Sequence, residues 1–209
     1  MAKVKMPLMS VDASGAIADA VVAAKWKGRN YFRVHVKPSQ PRTDAQVGVR
    51  ASFAGLVELI KTETADVQAE WAEAAKALAV TWLNMFIRVN QKNLSDGLGL
   101  QQRPVVGPPE EYIYAPELSV TVEGRRVRFT ISQHKLDDIA YAALLHVAKS
   151  SGFAPAWSNL KALVRAPGAG NSVVIELSFK PGTYYARCRM SSPNRVFSPS
   201  SAEVSFTVS

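Results

Sequence analysis

Between Asn90 and Tyr114 the hydrophobic period of this sequence changes from three or four to two, and that change constrains the fold more than any other feature. Helix-period sequence stands before it and strand-period sequence after it. A chain that keeps its helices and strands in separate runs is expected to be α+β, with the strands pairing antiparallel. The connecting stretch carries Asp96-Gly97, Gly99, Pro104, Gly107 and Pro108-Pro109. These turn and extended-chain signals predict a linker over residues 95–115.

On the helical side, Val49, Phe53, Leu56, Val57 and Ile60 form a stripe that predicts a helix from about Asp44 to Lys61, with Thr43 or Asp44 as its N-cap. A break at Thr62 to Thr64 leads into a second helix, capped by Thr64 and carrying Asp66 in its first turn. There Val67, Trp71, Ala74, Leu78, Trp82, Met85 and Val89 hold one apolar face for about six turns. So short a connection predicts a helical hairpin over residues 44–94 whose two stripes bury one another. The two tryptophans read as core residues rather than a ligand box.

On the strand side, residues 116–209 contain about seven short strands. Leu118 to Val122 and Arg126 to Ile131 alternate around Glu123-Gly124, with Val127, Phe129 and Ile131 on the buried side. Ile139 to Ala148 is apolar throughout and of ambiguous type, and Leu160 to Val164 is short and extended. Val173, Ile175, Leu177 and Phe179 point inward before Pro181-Gly182, and Tyr184, Ala186, Cys188 and Met190 do so after it. Ala202 to Val208 closes the set. The expected architecture is an antiparallel β-sandwich of immunoglobulin or fibronectin type III kind.

Residues 1–43 show neither period for long. An Ala-rich stretch runs from Ala16 to Ala24, and Tyr31 to Lys37 suggests one strand, ended by Pro38 and Pro41. Such a length without its own core predicts an extended arm. Charge concentrates at its end. The chain carries a net charge of +8, and between Lys25 and Arg50 stand seven basic residues against the single acid Asp44. Trp26, Lys27, Arg29, Tyr31, Phe32, Arg33, Lys37, Arg42 and Arg50 are therefore the candidate partner-binding residues. Aromatics and arginines suit an acidic protein surface, and the same set suits a phosphate backbone with stacked bases.

Two resemblances bear on function. K-P-G-T-Y-Y-A-R-C-R-M followed by F-S-P-S-S-A-E-V-S-F-T-V resembles the last two strands of a fibronectin type III-like domain, where a Pro-Gly turn leads into a Tyr-bearing strand. The Trp that this family carries early in the domain is missing from Ile139 to Ala148, which leaves strand order open. Trp26-Lys27-Gly28, Tyr31-Phe32-Arg33, Val36-Lys37-Pro38 and Pro41-Arg42-Thr43, continuing to Phe86 to Asn90, resemble a group of small tailed-bacteriophage proteins. That resemblance spans about residues 14–93. It implies a virion structural protein of head, neck or tail, made in the host cytoplasm and assembling with copies of itself and with other virion proteins.

Enzymatic signatures are few. No G-x-S-x-G, P-loop or G-x-G-x-x-G occurs, and the three histidines fall in separate segments. Glu110-Glu111 are neighbours that face opposite ways on an extended chain, Asp137-Asp138 read as a turn, and Gly168-Ala169-Gly170 lacks the following Lys-Ser/Thr of a phosphate loop. Cys188, the one cysteine, excludes an internal disulfide and reads as a buried strand residue. The expectation is a non-enzymatic protein with no cofactor, no metal site and no membrane partner. Two other readings remain: a DNA-binding or packaging protein gripping phosphates through residues 25–50, and an adhesin presenting Phe153, Trp157 and Phe197 in its loops.

Overall fold

The computed structural model describes residues 3–4, 13–17, 21–26, 29–36, 43–76, 78–107, 114–134, 140–168 and 170–209. It divides into two compact units, Met1–Pro41 and Arg42–Ser209.

The first unit is not an extended arm. Strands β1 (Lys3–Val4), β2 (Ala13–Ile17), β3 (Val21–Trp26) and β4 (Arg29–Val34) form one antiparallel sheet in the order β1-β2-β3-β4. The Ala-rich stretch is shared by two strands that pair with each other, Ala16 opposite Val22. Trp26 pairs with Arg29 across the two residues Lys27-Gly28. Lys27-Gly28 is a two-residue sequence of the kind that signals a hairpin, although it lies outside the described residues and inside a run dominated by charge.

In the second unit, helix α1 (Asp44–Lys61) is capped by Thr43, whose Oγ1 accepts from the Gln46 amide at 3.4 Å. The helix expected from Thr64 to about Val89 is in fact two, α2 (Ala65–Lys76) and α3 (Trp82–Ser95). Ala79 adopts φ +51°, a left-handed conformation that ends a helix. Thr81 then caps α3, accepting from the Asn84 amide at 3.3 Å. The apolar face consequently changes membership. Leu78 is exposed, whereas Ala75, Phe86 and Ile87 are buried.

The strands form two antiparallel sheets. One has the order β5-β6-β9 and the other β11-β10-β7-β8. Their members are β5 (Glu117–Glu123), β6 (Arg126–Ser132), β7 (Ala142–Ala148), β8 (Leu160–Arg165), β9 (Ser172–Ser178), β10 (Gly182–Ser191) and β11 (Val204–Val208). With three helices beside them, the protein is α+β, as its two hydrophobic periods predict. The Pro181-Gly182 turn carries the chain from one sheet to the other, because β9 pairs with β6 while β10 pairs with β7 and β11. The interior between the sheets holds Val127, Phe129, Ile131, Leu145, Cys188, Met190 and Phe206.

The helices do not bury their stripes only on one another. A second core joins Leu56, Ile60, Trp71 and Phe86 to Tyr141, which precedes β7, and to Leu144, Leu160 and Leu163 of the four-stranded sheet. This explains the run from Ile139 to Ala148. Strand β7 faces the sandwich interior with one side and the helical core with the other, so it shows no alternation. Helix α1 lies against β8 at very short range. A Cβ on Gly48 would stand 2.5 Å from the Trp157 carbonyl oxygen, and one on Gly55 would stand 2.3 Å from that of Leu163.

The first part of the predicted linker is also core. Gly97, at φ +76°, terminates α3, after which Leu100 and Gln101 are buried. Asn90 clamps this strap in place. Its Nδ2 donates to the Gln101 carbonyl at 3.0 Å and its Oδ1 accepts from the Gln101 amide at 2.6 Å. Trp71 Nε1 donates to the Gln102 carbonyl at 2.7 Å, and the Leu100 amide donates to Ser191 Oγ at 2.6 Å. Helices, strap and sandwich therefore form one unit.

Candidate interaction surfaces

In the first unit the ladder between β3 and β4 sorts the candidate residues by side. Cross-strand partners share a face, and Trp26 pairs with Arg29, Ala24 with Tyr31 and Val22 with Arg33. Positions 26, 29, 31 and 33 thus fall on one side of the sheet and position 32 on the other. Phe32, together with Val34, occupies an exposed apolar side, at 50% and 71% exposure. Strand β4 is at the sheet's edge. Lys27, Lys37 and Arg42 lie outside the described residues. Arg50 is exposed on α1, in the second unit.

Helix α1 also leaves apolar surface uncovered. Val49 and Phe53 are 42% and 50% exposed, while Leu56 and Ile60 of the same sequence stripe are buried. The pair is one turn apart on one helix face. The sequence stripe is therefore only partly a core stripe.

The reactive side chains of the second unit are built into its structure. Burial pushes the Cys188 thiol up to about 12, so thiolate is scarce at neutral pH. Burial holds His146 down to about 4, with the nearby Arg189 charge acting in the same direction. Its Nδ1 stands 2.8 Å from Asn159 Oδ1 and 3.1 Å from the Ala156 carbonyl oxygen, two acceptors that fix the proton on Nδ1. Glu63, buried at the turn between α1 and α2, accepts from Arg165 Nη1 at 2.6 Å and from Gln102 Nε2 at 3.0 Å. Beside it the Tyr141 hydroxyl is raised well above its ordinary range, first by burial and then by the Glu63 charge. These groups tie the helices to the sheet.

The aromatic residues considered for an adhesin are engaged. The Arg187 guanidinium stands 5.7 Å from the Phe153 ring centre, and that of Arg189 stands 3.7 Å from the centre of Phe197. Trp157 packs against the helical core. Glu110-Glu111 and Asp137-Asp138 lie outside the described residues. Gly168 and Gly170 belong to a turn in which the Asn171 amide donates to the Gly168 carbonyl at 2.9 Å. Among the described residues, no group of three or more His, Cys, Asp or Glu is placed to hold a metal ion, and no helix is long and apolar enough to cross a membrane.

One cleft was not foreseen from sequence. About 500 Å³ in volume, it opens at one end of the sandwich beside the start of α1, with Lys149, Lys161 and Lys180 in its wall. The three lysines are far apart in sequence, in loops and strand ends whose convergence only the fold supplies.

The geometry defines an α+β protein whose strands form an immunoglobulin-like sandwich. No protein-family model matches the sequence, and no curated protein matches it significantly. Solved structures with some likeness include the PKD domain of an M14-like peptidase from a Thermoplasmatales archaeon, 16% identical over 45% of this chain and 92% of that one, with a TM-score of 0.31. The chicken interferon gamma receptor alpha chain is 11% identical over 45% of this chain and 50% of its own, also at 0.31. The superoxide reductase of Nanoarchaeum equitans is 9% identical over 50% of this chain and 100% of its own, at 0.32. Scores this low carry no weight, and the class rests on strand order and on the corner where the Tyr184 hydroxyl donates to the Lys180 carbonyl at 3.1 Å as the chain passes from β9 to β10.

Proposed function

We propose that this chain is a non-enzymatic bacteriophage virion structural protein, of head, neck or tail, whose N-terminal sheet docks onto neighbouring copies or other virion proteins. The observation that carries the reading is the apolar side of β4, where Phe32 and Val34 stand exposed on an edge strand. Edge strands with exposed apolar side chains are ordinarily blunted or covered. A partner in an assembly supplies that cover, and the resemblance over residues 14–93 supplies its phage context. The sandwich, with the strand order β5-β6-β9 and β11-β10-β7-β8, serves as a fibronectin type III-like spacing or contact module. The experiment is deletion of residues 1–41. The remaining unit has its own cores and is expected to stay folded and soluble but to drop out of particles. Normal incorporation overturns the reading.

A nucleic-acid reading is favoured by one observation, the placement of positions 26, 29, 31 and 33 on a single side of the sheet. It predicts affinity for DNA that falls steeply with salt, with a slope reduced by charge reversal at Arg29 and Arg33. Salt-insensitive incorporation into particles decides for the protein partner.

A further inference from the structure

We propose that the cleft at the end of the sandwich binds an extended acidic peptide segment, added as a strand along the free edge of β9. The inference stands apart from the virion reading. It begins with the sheet edges. Strand β8, at the end of the four-stranded sheet, is covered by α1 through Gly48 and Gly55. Strand β9 ends the three-stranded sheet, and among the described residues its backbone bonds run only to the β6 side, down to the Phe179 amide donating to the Arg125 carbonyl at 3.0 Å. An edge with unsatisfied donors and acceptors is a template for strand addition. Little blunts this one: β9 contains neither proline nor lysine, its one charged residue, Glu176, is paired with Arg128 of β6 at 2.9 Å, and Val174 on it is 51% exposed.

The cleft begins where that edge ends, with Leu177, Phe179 and Lys180 contributing to its wall. Its charge selects the occupant. Three lysines face one acid, Asp44, which is engaged by Lys161 at 3.2 Å. Lys149 and Lys180 have no ion-pair partner among the described residues, so the surplus is positive and exposed to an incoming carboxylate. The apolar floor favours a peptide over a nucleic acid. Phe179 and Tyr184 stand 5.0 Å apart and both pack on Phe206, so neither offers an open face for a base to stack upon. Edge hydrogen bonds, two unpaired ammonium groups and an apolar floor together fit a strand that alternates apolar and acidic side chains.

The test uses the full chain and three labelled hexapeptides in fluorescence polarisation: Thr-Glu-Val-Glu-Val-Thr, its counterpart with lysine for glutamate, and the acidic peptide N-methylated at every backbone amide, so that neither strand edge keeps a donor. The acidic peptide is expected to bind, to weaken as salt rises, and to lose at least about tenfold in affinity to Lys149→Glu/Lys180→Glu, which prefers the basic peptide instead. N-methylation is expected to abolish binding, since it removes the edge donors without changing charge. Both substituted lysines are exposed, so an unchanged Tm accompanies the effect. Binding of the N-methylated peptide at full strength, equal affinity for acidic and basic peptides, indifference to the double substitution, tighter binding of an oligonucleotide, or no binding at all overturns the proposal.

Discussion

The Tyr184 hydroxyl donates to the Lys180 carbonyl, four residues earlier, at 3.1 Å. This bond folds the chain back at the point where it leaves β9 for β10, and so fixes the passage from one sheet to the other. A tyrosine whose hydroxyl reaches back to the backbone at this corner is a hallmark of immunoglobulin-like sandwiches. Tyr184 also stacks on Phe206 with ring centres 5.6 Å apart, which couples the corner to the interior. Tyr184→Phe keeps the ring and deletes the bond. We expect a loss of about 1 kcal/mol in urea unfolding, with the fold retained. No loss would show that the corner is held by ring contacts alone.

The approach of α1 to β8 makes a prediction of unusual sign. Gly→Ala in an exposed helix interior stabilises by about 1 kcal/mol. At Gly55 the added methyl would stand 2.3 Å from the Leu163 carbonyl oxygen and 2.7 Å from its Cβ, atoms of a strand that cannot step aside. Gly55→Ala is therefore expected to destabilise by about 1–3 kcal/mol in thermal or urea unfolding. A gain in stability would mean that α1 does not rest on β8.

Burial of a neutral His146 is expected to make the second unit sensitive to acid. The histidine's pKa in the folded protein is about 4, below the ordinary 6.5, so between those values the unfolded chain binds a proton that the folded chain does not. Stability from this group is fully present above about pH 6.5 and is lost as pH falls towards 4. The maximum loss is on the order of 3 kcal/mol. His146→Gln is expected to flatten the stability profile across that window while lowering it at neutral pH. A profile that keeps its slope in the variant would assign the acid sensitivity to other groups.

The parts of the fold that depend on local period were legible in the sequence. Val127, Phe129 and Ile131 alternate inward as expected, and the strand after Pro181-Gly182 buries Ala186, Cys188 and Met190. What was not legible depends on contacts distant in sequence. The hydrophobic stripe from Val67 to Val89 reads as one helix because nothing local weighs the left-handed Ala79 or the Thr81 cap against it. Leu100 and Gln101 look like linker because their partners, Asn90 and Ser191, lie 11 and 91 residues away. The N-terminal sheet was hidden by its composition, since short Ala-rich strands carry little alternation and the end of β3 and the start of β4 sit within a basic run. Of the candidate residues, the sequence marks the basic aromatic set, and only the register of β3 and β4 separates position 32 from positions 26, 29, 31 and 33.

The exposed side of β4 predicts a specific assembly defect. Phe32→Ser/Val34→Ser removes apolar surface from an exposed edge, so the fold and solubility are expected to be unchanged or improved. Incorporation into particles is expected to fall several-fold. A variant that assembles as well as the parent would move the docking surface elsewhere, with Val49 and Phe53 of α1 the next residues to change.

The most direct test of the proposed role is the copy number of this chain in purified particles, measured by quantitative mass spectrometry against the major capsid protein. The structural reading predicts that the chain is present in a fixed ratio, near one or a simple fraction of it for a lattice position, or matching one closed ring for a neck or tail position. Its absence from particles, with the protein left in the lysate, would contradict that reading.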